Sequence, residues 1–119
     1  MNKLKIYTDG GARGNPGPAA YGVVIKTPED EILYEEGQKI GTATNNEAEY
    51  QGLIAALKWL NQADLKVSNY TFYLDSNLVV KQMQKKFKVK ANNLKPLWQE
   101  ANHLAGNLSG KIKYKHIYR

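Results

Sequence analysis

Leu4 and Ile6 alternate with Lys3 and Lys5, so Lys3 to Asp9 reads as a strand with one buried face. The following run, Gly10-Gly11-Ala12-Arg13-Gly14-Asn15-Pro16-Gly17-Pro18, reads as a loop. Tyr21 to Lys26 and Glu31 to Ile40 are rich in β-formers and are separated by Thr27-Pro28-Glu29-Asp30, which predicts a hairpin. At Thr44 the period becomes helical. Thr44 with Glu47 three residues on forms a capping box, and the helix runs to about Gln62. Tyr70 to Asp75 is a short apolar strand, and Ser76 to about Lys86 is a second helix. Asn93 is the expected cap of a third, in which Leu94, Leu97, Trp98, Ala101, Leu104, Ala105 and Leu108 form one stripe until Gly110 stops it. Lys111 to Tyr118 is the last strand. This order predicts an α/β fold, a mixed sheet with an antiparallel meander at one side and helices covering its faces.

Composition narrows the setting. At 119 residues, with 42% hydrophobic and 24% charged residues, the expectation is a single domain over 1–119 of ordinary soluble character. No apolar run approaches the roughly 20 residues that span a bilayer, so no membrane partner is expected. Strand-like sequence begins within the first residues and leaves no room for a signal peptide, which makes cytoplasmic residence the expectation. The absence of cysteine excludes disulfides and thiolate metal sites, and two histidines without zinc-like spacing argue against zinc. Oxygen-ligated hard metals remain. The net charge of +6 favours polyanionic partners through counterion release, although many basic proteins bind no nucleic acid.

Three acids are placed for chemistry. Asp9 and Asp75 each close an apolar strand, at the edge where open α/β sheets hold ligands. Glu49 shares the helical phase of Leu53, Ala56, Leu57 and Leu60, so its side chain points along the core stripe. A buried, unpaired carboxylate is costly enough to shift its pKa towards neutrality, and a cation accounts economically for a cluster of them. Magnesium suits oxygen ligands and phosphate substrates. Asp75 before Ser76-Asn77 fits a helix cap equally well, and Asp9 before Gly10-Gly11 fits a turn former. Glu47 projects with Gln51, Lys58 and Asn61 on the polar face and reads as capping and surface.

Three segments carry a family resemblance. Tyr7-Thr8-Asp9-Gly10-Gly11-Ala12-Arg13-Gly14-Asn15-Pro16-Gly17-Pro18-Ala19-Ala20-Tyr21-Gly22 resembles the opening strand and glycine loop of type 1 ribonuclease H. Thr44-Asn45-Asn46-Glu47-Ala48-Glu49-Tyr50 resembles its second motif, whose spacing selects Glu49, and Leu74-Asp75-Ser76-Asn77 resembles its third. The resemblance implies a mixed five-stranded sheet, three antiparallel strands then two parallel, flanked by helices. It also implies hydrolysis of the RNA strand of an RNA/DNA hybrid with Mg2+, or Mn2+ as substitute, leaving a 3′-hydroxyl and a 5′-phosphate. Asp9 would bridge two ions about 3.5–4 Å apart, Glu49 and Asp75 would complete the leaving-group ion, and a fourth aspartate on a terminal helix would complete the other.

By the same resemblance Gly10, Asn15, Asn45, Asn46 and Asn77 would read the RNA strand, whose 2′-hydroxyl distinguishes it from DNA. Thr44 would contact a DNA-strand phosphate, though capping explains it equally. Without its neighbours, the glycine loop reads as a plain turn. Lys81, Lys85, Lys86, Lys88 and Lys90, around Phe87, form a candidate duplex surface or, with equal weight, a solvated helix face. The run is shorter than the tryptophan-bearing protrusion of some members, which implies modest hybrid affinity. Trp59 and Trp98 fit core positions, His103 a surface one, and no catalytic role attaches to His116.

After Arg119 the family continues into a loop with a mobile histidine and then the helix bearing the fourth acid. Glu100 projects with His103 and Asn107, away from its helix's apolar stripe, and does not substitute. The expectation is a domain C-terminally incomplete relative to the family, with impaired cleavage. The alternative is a non-catalytic module that binds RNA/DNA hybrids on the same fold. A resolvase or integrase core is disfavoured by the glycine loop and the Thr-Asn-Asn motif. No obligate protein partner is inferred. Ile112, Tyr114 and Tyr118, left partly uncovered, predict a tendency to self-associate.

Overall fold

The protein is described here by a computed structural model covering residues 2–117. Five strands, β1 (Lys3–Ala12), β2 (Gly17–Lys26), β3 (Ile32–Ala43), β4 (Asn69–Leu74) and β5 (Lys111–His116), form one sheet in the order β3-β2-β1-β4-β5. β1, β2 and β3 are antiparallel neighbours, while β4 runs parallel to β1 and β5 parallel to β4. Three helices, α1 (Asn45–Gln62), α2 (Asn77–Met83) and α3 (Lys95–Gly106), complete the order expected from the pattern.

Strand alternation decides the packing. Leu4, Ile6 and Thr8 of β1, Val23 and Ile25 of β2, and Tyr70, Phe72 and Leu74 of β4 are buried on one face with Tyr50, Leu53 and Leu57 of α1. Lys5, Tyr7 and Asp9 have the opposite phase, and Tyr7 stacks on Tyr73 across the sheet at 4.7 Å.

Several boundaries differ from the sequence reading. β1 continues through Gly10 and Gly11 to Ala12, because β2 starts early and pairs Gly10 with Tyr21, Gly11 with Ala20 and Ala12 with Ala19. β3 likewise runs on to Ala43, which pairs with Gly17. β4 ends at Leu74, leaving Asp75 just beyond it. α2 stops at Met83. The chain reverses at Lys85, where φ is 63°, and the Lys81 carbonyl accepts from the N–H groups of Lys86 and Phe87. The lysines from 85 to 90 therefore lie on a connector rather than a helix face. Asn93 is not the cap of α3. Leu94 holds that position without a side-chain cap bond, and it is buried because it serves the core. Gly110 does not end α3, which closes at Gly106 with Asn107 as its cap. It leads into β5, where a Cβ would lie 2.6 Å from the Val67 carbonyl oxygen. Tyr118, expected in the last strand and in an uncovered surface, lies outside the described residues.

One glycine sets the distance between sheet and helix. A Cβ on Gly10 would stand 2.3 Å from the Ala48 carbonyl carbon, whereas one on Gly11 would meet nothing nearer than Asn45 Oδ1 at 3.7 Å. Backbone cannot yield as a flexible side chain does. Gly10→Ala is expected to lower stability by about 3 kcal/mol in urea unfolding, with Gly11→Ala much milder. Equal effects of the two substitutions would contradict the close approach of β1 and α1.

Candidate active site

The parallel register of β1 and β4 pairs Thr8 with Leu74, so Asp9 and Asp75 follow side by side at the carboxyl edge of the sheet. The Gly10 contact brings the first turn of α1, and with it Glu49, to the same edge. The neutral readings of the two aspartates fail on geometry. Asp9 is not in a turn, because it pairs with Gly22 within the sheet. Asp75 is not the cap of α2, because Ser76 is, its Oγ accepting from the Val79 N–H at 3.2 Å. Glu47 has the capping role its phase predicts. Its carboxylate accepts from the Thr44 N–H at 2.7 Å, and Thr44 Oγ1 accepts from the Glu47 N–H at 3.1 Å.

Glu49 is only 1% exposed. Its Oε2 accepts from the Ser76 N–H at 2.5 Å, and the Asp75 backbone N–H also donates to its carboxylate. Oε1 is buried and has no hydrogen-bond partner among the described residues. Burial is the main reason that the Glu49 pKa rises from 4.5 to about 7; the negative charges of Asp9 and Asp75 push the same way, and the backbone donors oppose them. Among the described residues the acids do not close into a ready-made metal cage. An orphaned carboxylate oxygen and two further carboxylates nonetheless form an oxygen set of the kind that suits magnesium.

The surrounding asparagines tie the loops to this edge. Asn15 Oδ1 accepts from the Asn45 N–H at 2.8 Å, and Asn45 Oδ1 accepts from the Ala12 N–H at 2.7 Å, joining the glycine loop to the start of α1. Asn46 Oδ1 accepts from Ser76 Oγ at 2.8 Å, joining α1 to α2. Asn77, first in α2, is exposed. Sequence reasoning missed His116. Its Nε2 lies 2.9 Å from the Asp75 carbonyl, which accepts from it, so β5 helps to hold the Asp75 peptide. The signal lies in the register that sets His116 beside Leu74, invisible until β4 and β5 are paired. Glu100 pairs with Lys58 at 3.5 Å, on a part of α1 roughly 13 Å along the axis from Glu49.

The raised pKa of Glu49 sets the sign of a pH effect. Between pH 4.5 and about 7 the folded chain keeps a proton that the unfolded chain releases, so stability falls as pH rises through that window. The loss reaches about 3 kcal/mol above it. In chelator, Glu49→Gln should match the parent near pH 4 and be the more stable of the two at pH 8 in denaturant titrations. A variant less stable than the parent at pH 8 would refute the assignment of a strained, ionised Glu49.

Residues 7–119 match the family model described as reverse transcriptase-like. A bifunctional protein of Mycobacterium tuberculosis is 44% identical over 118 residues, which are 98% of this chain and 32% of that protein. The chain thus spans about a third of that relative's length. The solved N-terminal RNase H domain of the mycobacterial protein superposes with a TM-score of 0.91 at 43% identity, over 98% of this chain and 88% of that one. LC11-RNase H1, solved in complex with an RNA/DNA hybrid, gives 0.91 at 42% identity over 98% and 86% of the two chains. RNase H1 of the halophilic archaeon Halobacterium salinarum gives 0.89 at 35% identity over 99% and 87%. With the family model matched over residues 7–119 and the fold shared with these ribonucleases H, the chain belongs to the type 1 ribonuclease H family.

Proposed function

We propose that the chain hydrolyses the RNA strand of RNA/DNA hybrids, with Asp9, Glu49 and Asp75 holding divalent magnesium, or manganese in its place. The observation that carries this reading is the buried Glu49 carboxylate, one oxygen fixed by the Ser76 N–H and the other without a partner among the described residues, beside two aspartates on adjacent strand ends. Family membership, and the hybrid bound by LC11-RNase H1, support the choice of substrate. Ions bound at such sites supply activation of the attacking water and stabilisation of the leaving oxygen.

The chain's own groups supply position. The Ser76 and Asp75 N–H groups orient the Glu49 carboxylate, the strand register fixes Asp9 against Asp75, and His116 steadies the Asp75 peptide. Asn15 and Asn45 commit Oδ1 to backbone N–H groups, which leaves their Nδ2–H donors for the minor-groove edge and 2′-hydroxyls of an RNA strand. The Gly10 backbone, drawn against α1, together with Asn46 and Asn77 extends the contact surface for that strand, and Thr44 offers its hydroxyl to a phosphate of the DNA strand. Lys85, Lys86, Lys88 and Lys90, all exposed on the connector after α2, add sequence-independent phosphate contacts.

The test is cleavage of an end-labelled RNA/DNA hybrid in magnesium or manganese. Asp75→Asn should lower the rate by more than about 100-fold, since even groups that merely support metal ligands contribute about 10- to 100-fold. Undiminished cleavage by that variant would refute the site. Salt-sensitive binding of the hybrid without cleavage by the parent chain would replace hydrolysis with hybrid binding as the function.

A further inference from the structure

A second recessed surface lies between α1 and β3, at the far end of α1 from Glu49. One hollow of about 260 Å³ is bordered by Tyr21, Tyr34, Glu36 and Lys58, and an adjoining one of about 460 Å³ by Leu33, Ala63 and Leu65. Trp59 and Gln62 line both, so the two form a continuous groove. Trp59 lies ten residues past Glu49, roughly 15 Å along the helix.

The polar end of this groove is built around one carboxylate. Glu36 Oε1 accepts from the Tyr21 hydroxyl at 3.3 Å, and the Tyr34 hydroxyl also bonds to the Glu36 carboxylate. The Tyr34 ring stacks on Trp59 at 5.0 Å. Lys58, the cation at the rim, is engaged by Glu100. Among the described residues no cation forms an ion pair with Glu36. The other end is aliphatic, and Ile32 at the start of β3 is 52% exposed.

Charge selects the occupant. In a chain of net charge +6, five of the eleven acidic residues fall between Glu29 and Glu36; Asp30 is paired with Lys5, and Glu36 is the one that lines the groove. A phosphate backbone would be repelled here, whereas a guanidinium gains both a carboxylate fork and aromatic faces. Tyrosine and tryptophan beside a carboxylate, next to an aliphatic hollow, are also the composition of protein-binding hot spots. We propose that this groove docks a segment of a partner protein that presents an arginine to Glu36, Tyr34 and Trp59 and an adjacent aliphatic side chain to Leu33 and Leu65. The surface is separate from the catalytic edge, so the proposal stands or falls independently of hydrolysis.

A test uses the peptide acetyl-Ala-Leu-Arg-Ala-Leu-Ala-amide, added at millimolar concentration to the isotopically labelled chain and followed by NMR. The Trp59 indole and the amides of Tyr34 and Glu36 should shift while those of Gly10 and Ser76 stay in place. Glu36→Gln should keep the parent spectrum elsewhere and weaken binding at least about fivefold, the order expected for a desolvated cation–π and ion-pair contact. The proposal is overturned if the peptide leaves Trp59 unmoved, or if the same peptide with glutamate for arginine shifts it equally. Equal binding of free arginine amide would overturn protein docking in favour of a small amine, and the same shifts from an RNA/DNA hybrid would overturn it in favour of nucleic acid.

Discussion

Burial of the Glu49 carboxylate is the constraint around which this chain is arranged. An acid that is 1% exposed must be held by donors or neutralised, and here two backbone N–H groups at the β4–α2 junction hold one side of it. Those donors exist because Ser76 caps α2, which turns the chain sharply after Asp75 and directs the first N–H groups of the junction at α1. The negative charges of Asp9 and Asp75 disfavour its ionisation, so the folded chain carries an electrostatic cost at this edge. A divalent cation bound there, as proposed, would relieve that cost.

Other features serve this arrangement. Gly10 lets the sheet come within backbone contact of α1, and the capping box of Thr44 and Glu47 fixes where that helix begins, hence the phase of Glu49. Parallel pairing of β1 and β4 sets the two aspartates abreast. The glycine loop is tied back through Asn15 and Asn45, so the segments expected to meet the RNA strand are anchored to the helix that carries the carboxylate. Charge is divided across the molecule as well. Lysines crowd the connector after α2, while the β2–β3 hairpin is acidic, which sets a basic surface apart from the groove beside Trp59.

Much of this was legible in the residues. Period-two and helical patterns located all eight elements, Thr44 and Glu47 announced their capping box, and helical phase distinguished Glu49 from Glu47. What failed depended on partners distant in sequence. Gly10 and Gly11 look like loop residues until β2 supplies their ladder, and Asn93 looks like a cap until Leu94 is drawn into the core. The reversal at Lys85 leaves no local signal beyond the end of apolar spacing, since a lysine in the left-handed region is unusual. His116 drew no notice because its contact with Asp75 arises from strand register alone. The groove with Glu36 was equally hidden, because it joins α1 to a strand distant in sequence.

On the proposed function, Asp9, Glu49 and Asp75 would collect a divalent cation at one edge of the sheet. Paramagnetic broadening by Mn2+ in the isotopically labelled protein tests it most directly, because the effect falls steeply with distance from the ion. Substoichiometric Mn2+ should broaden the amide resonances of Gly10, Tyr50 and Ser76 while leaving Lys39, Trp59 and Lys113 sharp. Glu49→Gln should abolish that pattern. Broadening centred elsewhere, or a pattern unchanged in Glu49→Gln, would rule out a cation held by these three acids.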